Sequence, residues 1–369
     1  MNKYVFEIWD LFPFIFVLFL ILGIYSSKSR LSNKALYIFW ILFAFAAIRY
    51  GIGYDYYSYV KLINHDTTDY SLERFEPLSA VLREIAHNTH YQVFFILGSF
   101  LSLYPVYKSC KLLSVNASLS LILYYLHPLL YLNSLCIVRN AIAFSLVLYA
   151  ISLLLNEKKL LSLLIIIVAL NFHRSAYVGF LIFIVYYLNS SKKFYLLFYI
   201  FSFCMSVVVY KALSSYSGEI GLLITAERYA ERESEGGRTM TFLVNGLCLV
   251  NFLFWNKIAN INKNNPFFLA LYVMGTCIWN ILLPINGTMA SRLSVYFTQS
   301  IIFIAVNYKY VLGRKNELLL GRITIYFFLL LFSSYFFINI EGYLKDSVRM
   351  SNIPYQTIFY NQDYSNYIY

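Results

Sequence analysis

Charge is scarce in this chain. Only 13% of its 369 residues are charged, against about 25% in soluble domains. Hydrophobic residues make up 60%, and the mean hydropathy is +0.62. No soluble fold of this size hides so much apolar surface, so a soluble enzyme or binding domain is excluded. Cysteine is sparse too. Cys110, Cys136, Cys204, Cys248 and Cys277 are scattered, mostly inside apolar runs, without metal-ligand spacing, which argues against a zinc module or a disulfide framework. Catalytic signatures are missing. Asp66 and Asp69 are separated by two residues and do not make the Asp-x-Asp metal site of nucleotide-sugar enzymes. There is no P-loop, HExxH or GxSxG, and Gly51-x-Gly53 follows no Rossmann strand. No linker, low-complexity block or clear internal repeat is present, which counts against a transporter built from repeated halves. No small-residue cleavage site follows the first apolar stretch, Ile8 to Tyr25, so it reads as a retained span.

What is there is a series of long apolar runs. A spanning helix needs about 20 mostly apolar residues. About twelve such segments begin near residues 8, 34, 91, 117, 137, 160, 175, 194, 241, 266, 289 and 317. The expected fold is therefore all-α, a polytopic integral membrane protein forming one transmembrane domain over 1–369. Short lysine-bearing connections (SSKSRLSNK, KSCK, NEKK, SSKK, NKIANINKNN, YKYVLGRKNE) face the cytoplasm by the positive-inside rule. The long loops at about 50–90 and 212–240, the N-terminus and the C-terminal tail at about 341–369 then face outward. These loop charges account for the net +11 without a nucleic-acid partner.

Lysine and arginine segregate. The inner connections and helix ends hold twelve of sixteen lysines but only Arg30, Arg314 and Arg322. The outer half holds Arg49, Arg74, Arg83, Arg139, Arg174, Arg228, Arg232, Arg238, Arg292 and Arg349. Topology needs positive charge of either kind, so it does not explain the sorting. Arginine's planar fork grips phosphate and carboxylate in bidentate fashion, which points to an outer face built for an anion; interface snorkelling is the plainer account.

Several stretches could carry chemistry. RYGIGYDYYSYV (49–60) closes the apolar run Leu36 to Ile48 and packs an arginine, two glycines, an aspartate and five tyrosines into twelve residues. Arg49 would stand at the outer mouth, Gly51 and Gly53 would let the backbone turn, and Asp55 would follow at the same level. Asp55 either pairs with an arginine or acts as general base toward a sugar hydroxyl. Glu73 and Glu76, in LERFEPL, add carboxylates. LLSLLIIIVALNF (160–172) has thirteen residues, about 20 Å of helix against a core of about 30 Å. His173, Arg174 and Ser175 follow, and AYVGFLIFIVYYL returns. This predicts a short hairpin around His173 whose tip stops inside the membrane, where ionisable groups are functional by default; a locally thin outer surface is the alternative. Arg139, in LNSLCIVRNAIAFSLVLYA, and Arg292, in NGTMASRLSVYF, each sit at the outer end of a span. Each is a snorkelling anchor or part of an anionic-headgroup site. Arg228 and Arg232, four apart on a surface helix, form a solvated face or guide an acidic glycan. The tyrosine-rich tail SNIPYQTIFYNQDYSNYIY stacks on sugars or forms an interface belt.

Taken in order, RYGIGYDYYSY, Glu76–Leu78, VRNAIAFSL, NFHRSA and ASRLSVYF resemble the EpsG-like branch of Wzy-type polysaccharide polymerases, over roughly residues 45–300. The family often has Gln where this chain has Asn140. The resemblance implies a metal-independent glycosyltransferase without cofactor in the bacterial plasma membrane, its active site facing the periplasm or exterior. It would join oligosaccharide units carried on undecaprenyl pyrophosphate, with a chain-length regulator and a flippase as pathway partners. Arg139 and Arg292 would hold the pyrophosphate, with Arg49 and Arg174 beside them, and Asp55, Glu76 or His173 would activate the acceptor hydroxyl. Three alternatives stay open: a ligase using the same carrier, a non-enzymatic flippase or exporter, and a sugar acyltransferase. The outer positions of His127 and His173 speak against the last.

Overall fold

The computed structural model describes residues 8–27, 33–64, 75–188, 191–215, 236–346 and 352–360. Asp66, Asp69, Glu73, Arg74, Arg228, Arg232, Arg349 and the end of the tyrosine-rich tail lie outside them, as does most of the 212–240 loop. Among the described residues the chain is all-α except for one two-stranded pairing. Among the described residues, seven helices are long and apolar enough to cross a membrane: Trp9–Ser26, Tyr91–Leu113, Val138–Leu155, Lys192–Val209, Asn265–Leu282, Gly287–Tyr310 and Glu317–Phe336. The other five expected segments are apolar helices too, Lys34–Ala47, Ala117–Leu126, Lys159–Leu170, Arg174–Leu188 and Met240–Leu253, but they are shorter. Among the described residues, then, seven segments are long and apolar enough to span. At about 1.5 Å per residue the short ones fall below the core thickness of about 30 Å.

The chain packs into two compact units, Met1–Tyr177 with Ile323–Tyr369, and Val178–Arg322. The first contains α1 (Phe12–Ser26), α2 (Lys34–Ala47), β1 (Arg49–Tyr50), α3 (Tyr56–Ile63), α4 (Pro77–His87), α5 (Tyr91–Leu113), α6 (Ala117–Leu126), α7 (Tyr131–Cys136), α8 (Val138–Leu155), α9 (Lys159–Leu170) and β2 (Gln356–Thr357). Helix α5 packs on α2 and α8, and α8 on α9. A Cβ on Gly98 of α5 would stand 2.5 Å from Val138 Cγ1 of α8, the close approach that small residues allow between apolar helices. In the second unit α10 (Leu181–Leu188), α11 (Lys192–Ser215), α12 (Gly236–Leu253), α13 (Trp255–Ala259), α15 (Gly287–Thr298) and α16 (Ile301–Ile304) pack on α14 (Asn265–Leu282). Polar bonds cross its interior: Tyr199 Oη donates to Asn245 Oδ1 at 2.8 Å, and Asn280 Nδ2 to Ser202 Oγ at 3.2 Å. Helix α17 (Glu317–Asp346) carries the chain back into the first unit.

The end of α2 sets up the loop that follows. With 14 residues it is about 21 Å long. The last four carbonyls of a helix have no partner within it, and hydrocarbon supplies none. Here every one finds a donor. Ile48 N–H serves Ala44 O at 3.1 Å, Tyr355 Oη serves Phe45 O, Arg49 Nη1 serves Ala46 O, and Gln92 Nε2 serves Ala47 O at 2.7 Å. The chain then turns sharply at Gly51 (φ 62°) and Gly53 (φ 102°). A Cβ on Gly53 would stand 2.5 Å from Leu135 O and 2.9 Å from Cys136 Cα, so this turn rests on the backbone just ahead of α8. Gly53→Ala is expected to destabilise the protein by at least about 2 kcal/mol. Gly23→Ala, in α1 with nothing within 4 Å of its Cβ, should be neutral or stabilising. Unfolding in mixed detergent distinguishes them, and equal effects would refute the packing of the turn.

Candidate functional site

The site grows from one carboxylate. Glu76 has extended backbone (φ −65°, ψ 155°) and precedes Pro77 at the first position of α4, where a fixed φ and a missing N–H cost nothing. The first turn of α4 docks on the segment after α9. Leu78 N–H and Ser79 N–H both donate to Asn171 O, at 2.9 and 3.4 Å, and Ser79 Oγ donates to Phe172 O at 2.7 Å. Glu76 is thereby carried to the start of α8 and the tip at His173. Its Oε2 accepts Arg139 Nη1 at 2.8 Å, and its Oε1 accepts Arg174 N–H at 3.0 Å. Glu76 is 8% exposed and Arg139 20%. A buried carboxylate must be paired, and removing one partner of such a pair costs about 3–5 kcal/mol.

Aromatic rings and further charges surround the pair. Arg139 Cζ lies 4.5 Å from the centre of the Phe75 ring, and Arg83 Cζ lies 5.5 Å from the same centre. The Tyr59 phenol is buried, and burial pushes its pKa up. Arg139, hydrogen-bonded to it, pulls it down, while the Asp55 carboxylate pushes it further up. Asp55, Tyr59, Arg139 and Glu76 therefore share one electrostatic neighbourhood. Asp55 is half-buried and precedes α3 as its N-cap.

His173, Ser175 and Asn140 form a second line of contacts. Ser175 Oγ lies 2.6 Å from His173 Nδ1 and 3.2 Å from Asn140 Oδ1. Ser175 N–H donates to His173 Nδ1 at 3.2 Å. The 2.6 Å contact between Ser175 Oγ and His173 Nδ1 serves either tautomer of the ring.

The expected site residues separate into groups. Asp55, Glu76, Arg139, His173 and the backbone of Arg174 come together in the first unit, with the Arg174 side chain exposed. Arg49 does not stand at an open mouth. It is 1% exposed, because its guanidinium caps α2 through Ala46 O, bonds Ser99 Oγ at 2.8 Å and faces the Phe95 ring at 5.1 Å. Arg292 lies half-buried in α15, in the second unit. Tyr59, Phe75, Arg83 and Ser175 were missed. Arg83 already counted among the outer arginines, and Tyr59 lies inside the stretch that drew attention to Asp55. Nothing in the sequence ties Phe75 to two guanidiniums. Among the described residues no three His, Cys, Asp or Glu side chains gather as metal ligands.

A double-mutant cycle tests the central pair. Glu76→Gln and Arg139→Met should each cost about 3–5 kcal/mol. The double variant should recover about 0.5–3 kcal/mol of their sum, measured by unfolding in mixed detergent. Strict additivity would show that the two side chains do not act as a pair.

The sequence model of the EpsG family matches residues 33–357. No curated protein and no solved structure gives a match.

Proposed function

The chain belongs to the EpsG family, and we propose from that premise that it polymerises polysaccharide at the outer face of the bacterial plasma membrane. Membership and the apolar helices make it a polysaccharide-polymerase-like integral membrane protein. The finer reading is that oligosaccharide units arrive on undecaprenyl pyrophosphate. The acceptor hydroxyl attacks the anomeric carbon of the donor chain. The bond from that carbon to the pyrophosphate oxygen breaks, the electron pair leaves with the lipid pyrophosphate, and the hydroxyl proton passes to a carboxylate.

The observation that carries this reading is the anchoring of two arginines on one buried carboxylate. Glu76 holds the Arg139 side chain and the Arg174 backbone, while Arg174 is an exposed residue. Fixed cationic donors aimed at charge that develops in the transition state are usually the largest catalytic contribution. We assign Arg139 and Arg174 to the leaving pyrophosphate, add Arg83 beside Phe75, and give His173 the role of a further donor. Arg292 is retained as a phosphate contact on its chemistry. We assign Asp55, which shares the neighbourhood of Tyr59 and Arg139, as the base. Arginines that neutralise the leaving group are consistent with a metal-independent glycosyltransferase. A ligase would use the same donor chemistry and differ only in its acceptor.

The test is polymerisation in membranes lacking their own polymerase, supplied with the matching lipid-linked unit. Native protein should yield a ladder of glycan lengths. Asp55→Asn should slow it by about 10²–10⁴-fold, and Arg174→Ala by about 10²–10³-fold, at equal expression. Arg292→Ala should also shorten the ladder. A ladder that survives the first two substitutions would sink this site. Single units that reach the outer face without extending would point to a transporter.

A further inference from the structure

The C-terminal segment 352–360 is folded back onto the start of the site loop. β2 pairs antiparallel with β1, Thr357 opposite Arg49 and Gln356 opposite Tyr50. The Tyr355 ring stacks on Phe45 with centroids 4.0 Å apart and 8° between planes. Its hydroxyl donates to Phe45 O, and Ile358 N–H donates to Ile48 O at 2.9 Å. Two carbonyls at the end of α2 thus depend on a segment some three hundred positions away in sequence. Cys136 Sγ, just ahead of α8, also contacts Asn352 Oδ1 at 3.6 Å.

What this segment holds is the root of the turn that delivers Asp55. Tyr50 leads into Gly51, whose φ is 62°, and Gly53, whose φ is 102°. Glycine gives such a turn no side-chain stiffness of its own, so its direction has to be fixed at its ends. The far end is tied by Tyr56, whose N–H donates to Gly53 O at 3.0 Å and whose hydroxyl reaches Gln92 Oε1 at 3.4 Å. The near end is tied by β2. Glu76, Arg139 and Arg174 are held to one another by bonds that do not pass through β1 or β2.

We propose that residues 352–360 are a positioning element of the active site, clamping β1 so that the Gly51–Gly53 turn presents Asp55 to the acceptor. This rests on the assignment of Asp55 as the base. The β1–β2 pairing acts on the proton-accepting side of the reaction, and the one contact of the segment toward α8, Asn352 with Cys136, lies before β2 and is left intact by substitution at Ile358. Losing it should therefore reduce kcat and spare KM for the lipid-linked donor.

Ile358 separates the backbone contact from the side chain. Ile358→Pro removes the N–H that serves Ile48 O, while Ile358→Ala keeps it and trims a side chain that is already 36% exposed. In the full-length protein Ile358→Pro should lower kcat by about 10- to 100-fold, the effect of a misplaced catalytic group. Donor KM and the melting temperature should stay near native, and Ile358→Ala should behave as native. Tyr355→Phe, which keeps the ring stack, should fall between the two. Hydrogen exchange gives a readout independent of catalysis: amides 50–56 should exchange at least about fivefold faster in Ile358→Pro, the equivalent of one lost hydrogen bond, with those of 77–80 unchanged. Equal kcat and equal exchange in the proline and alanine variants would overturn the proposal. So would a rate loss that merely follows a lowered melting temperature. If native protein makes no polymer, the polymerase reading fails, and unchanged exchange would still refute the clamp by itself. If Asp55→Asn is inactive while Ile358→Pro is fully active, the reading stands and the clamp falls.

Discussion

A helix that stops inside an apolar environment must find donors for its last carbonyls, and α2 is such a helix. Arg49, Gln92 and Tyr355 answer that demand, and each donor fixes something else in doing so. Gln92 also donates to Arg49 O at 3.0 Å and accepts from Tyr56, tying the first turn of α5 to the site loop. Arg49 places its charge at the negative end of the helix dipole and against Ser99 and Phe95 of α5. Tyr355 brings the C-terminal segment with it. The turn through Gly51 and Gly53 lies where it does because the groups on either side of it are satisfying α2.

Glu76 does for the opposite side of the site what these donors do for α2. It joins three segments that are distant in sequence: the start of α4, the start of α8, and the tip after α9. A hydrophobic pair of similar volume is often as stable as a buried ion pair or more so, so stability alone is a poor reason for its presence. What the ion pair adds is orientation. Arg139 is held at one end by the carboxylate and along its face by Phe75, so its guanidinium keeps a fixed direction. Arg174 shares the carboxylate only through its backbone, and the residue is exposed. One fixed and one adaptable donor suit an anion that must be gripped and then released.

Much of this was legible in the sequence. All twelve apolar segments stand out by hydropathy and are helices in the structure. Gly51 and Gly53 do turn the chain with positive φ, as expected where a backbone bends beside a hydrophobic run. Glu76 and Arg139, both singled out in the sequence, pair with each other. Three things were hidden, each for a physical reason. Helix length is set by where caps and packing stop the chain rather than by hydropathy, so Ala117–Leu126 and Lys159–Leu170 stop short of spanning length. The burial of Arg49 depends on which carbonyls lie nearby, and a short motif does not record that. The β1–β2 pairing involves two residues on each side, too few to leave any alternating pattern, and its partners sit at opposite ends of the chain.

The sorting of arginine from lysine also takes on a different meaning. An outer face built for an anion explains arginine by its grip on phosphate. Of the four described arginines in the first unit, however, only Arg174 is an exposed residue. Arg49 is spent on a helix end and an aromatic ring, Arg139 on a carboxylate and another ring, and Arg83 on that same ring with Glu84 at 3.4 Å. Each of these tasks needs a flat, weakly hydrated cation with donors on several edges, and a lysine ammonium performs none of them well at low dielectric. Internal construction therefore accounts for part of the sorting. The anion-binding share rests most directly on Arg174, whose residue is exposed. An arginine that is already half-engaged is also better catalytic material than a free one, since its orientation is settled before the substrate arrives.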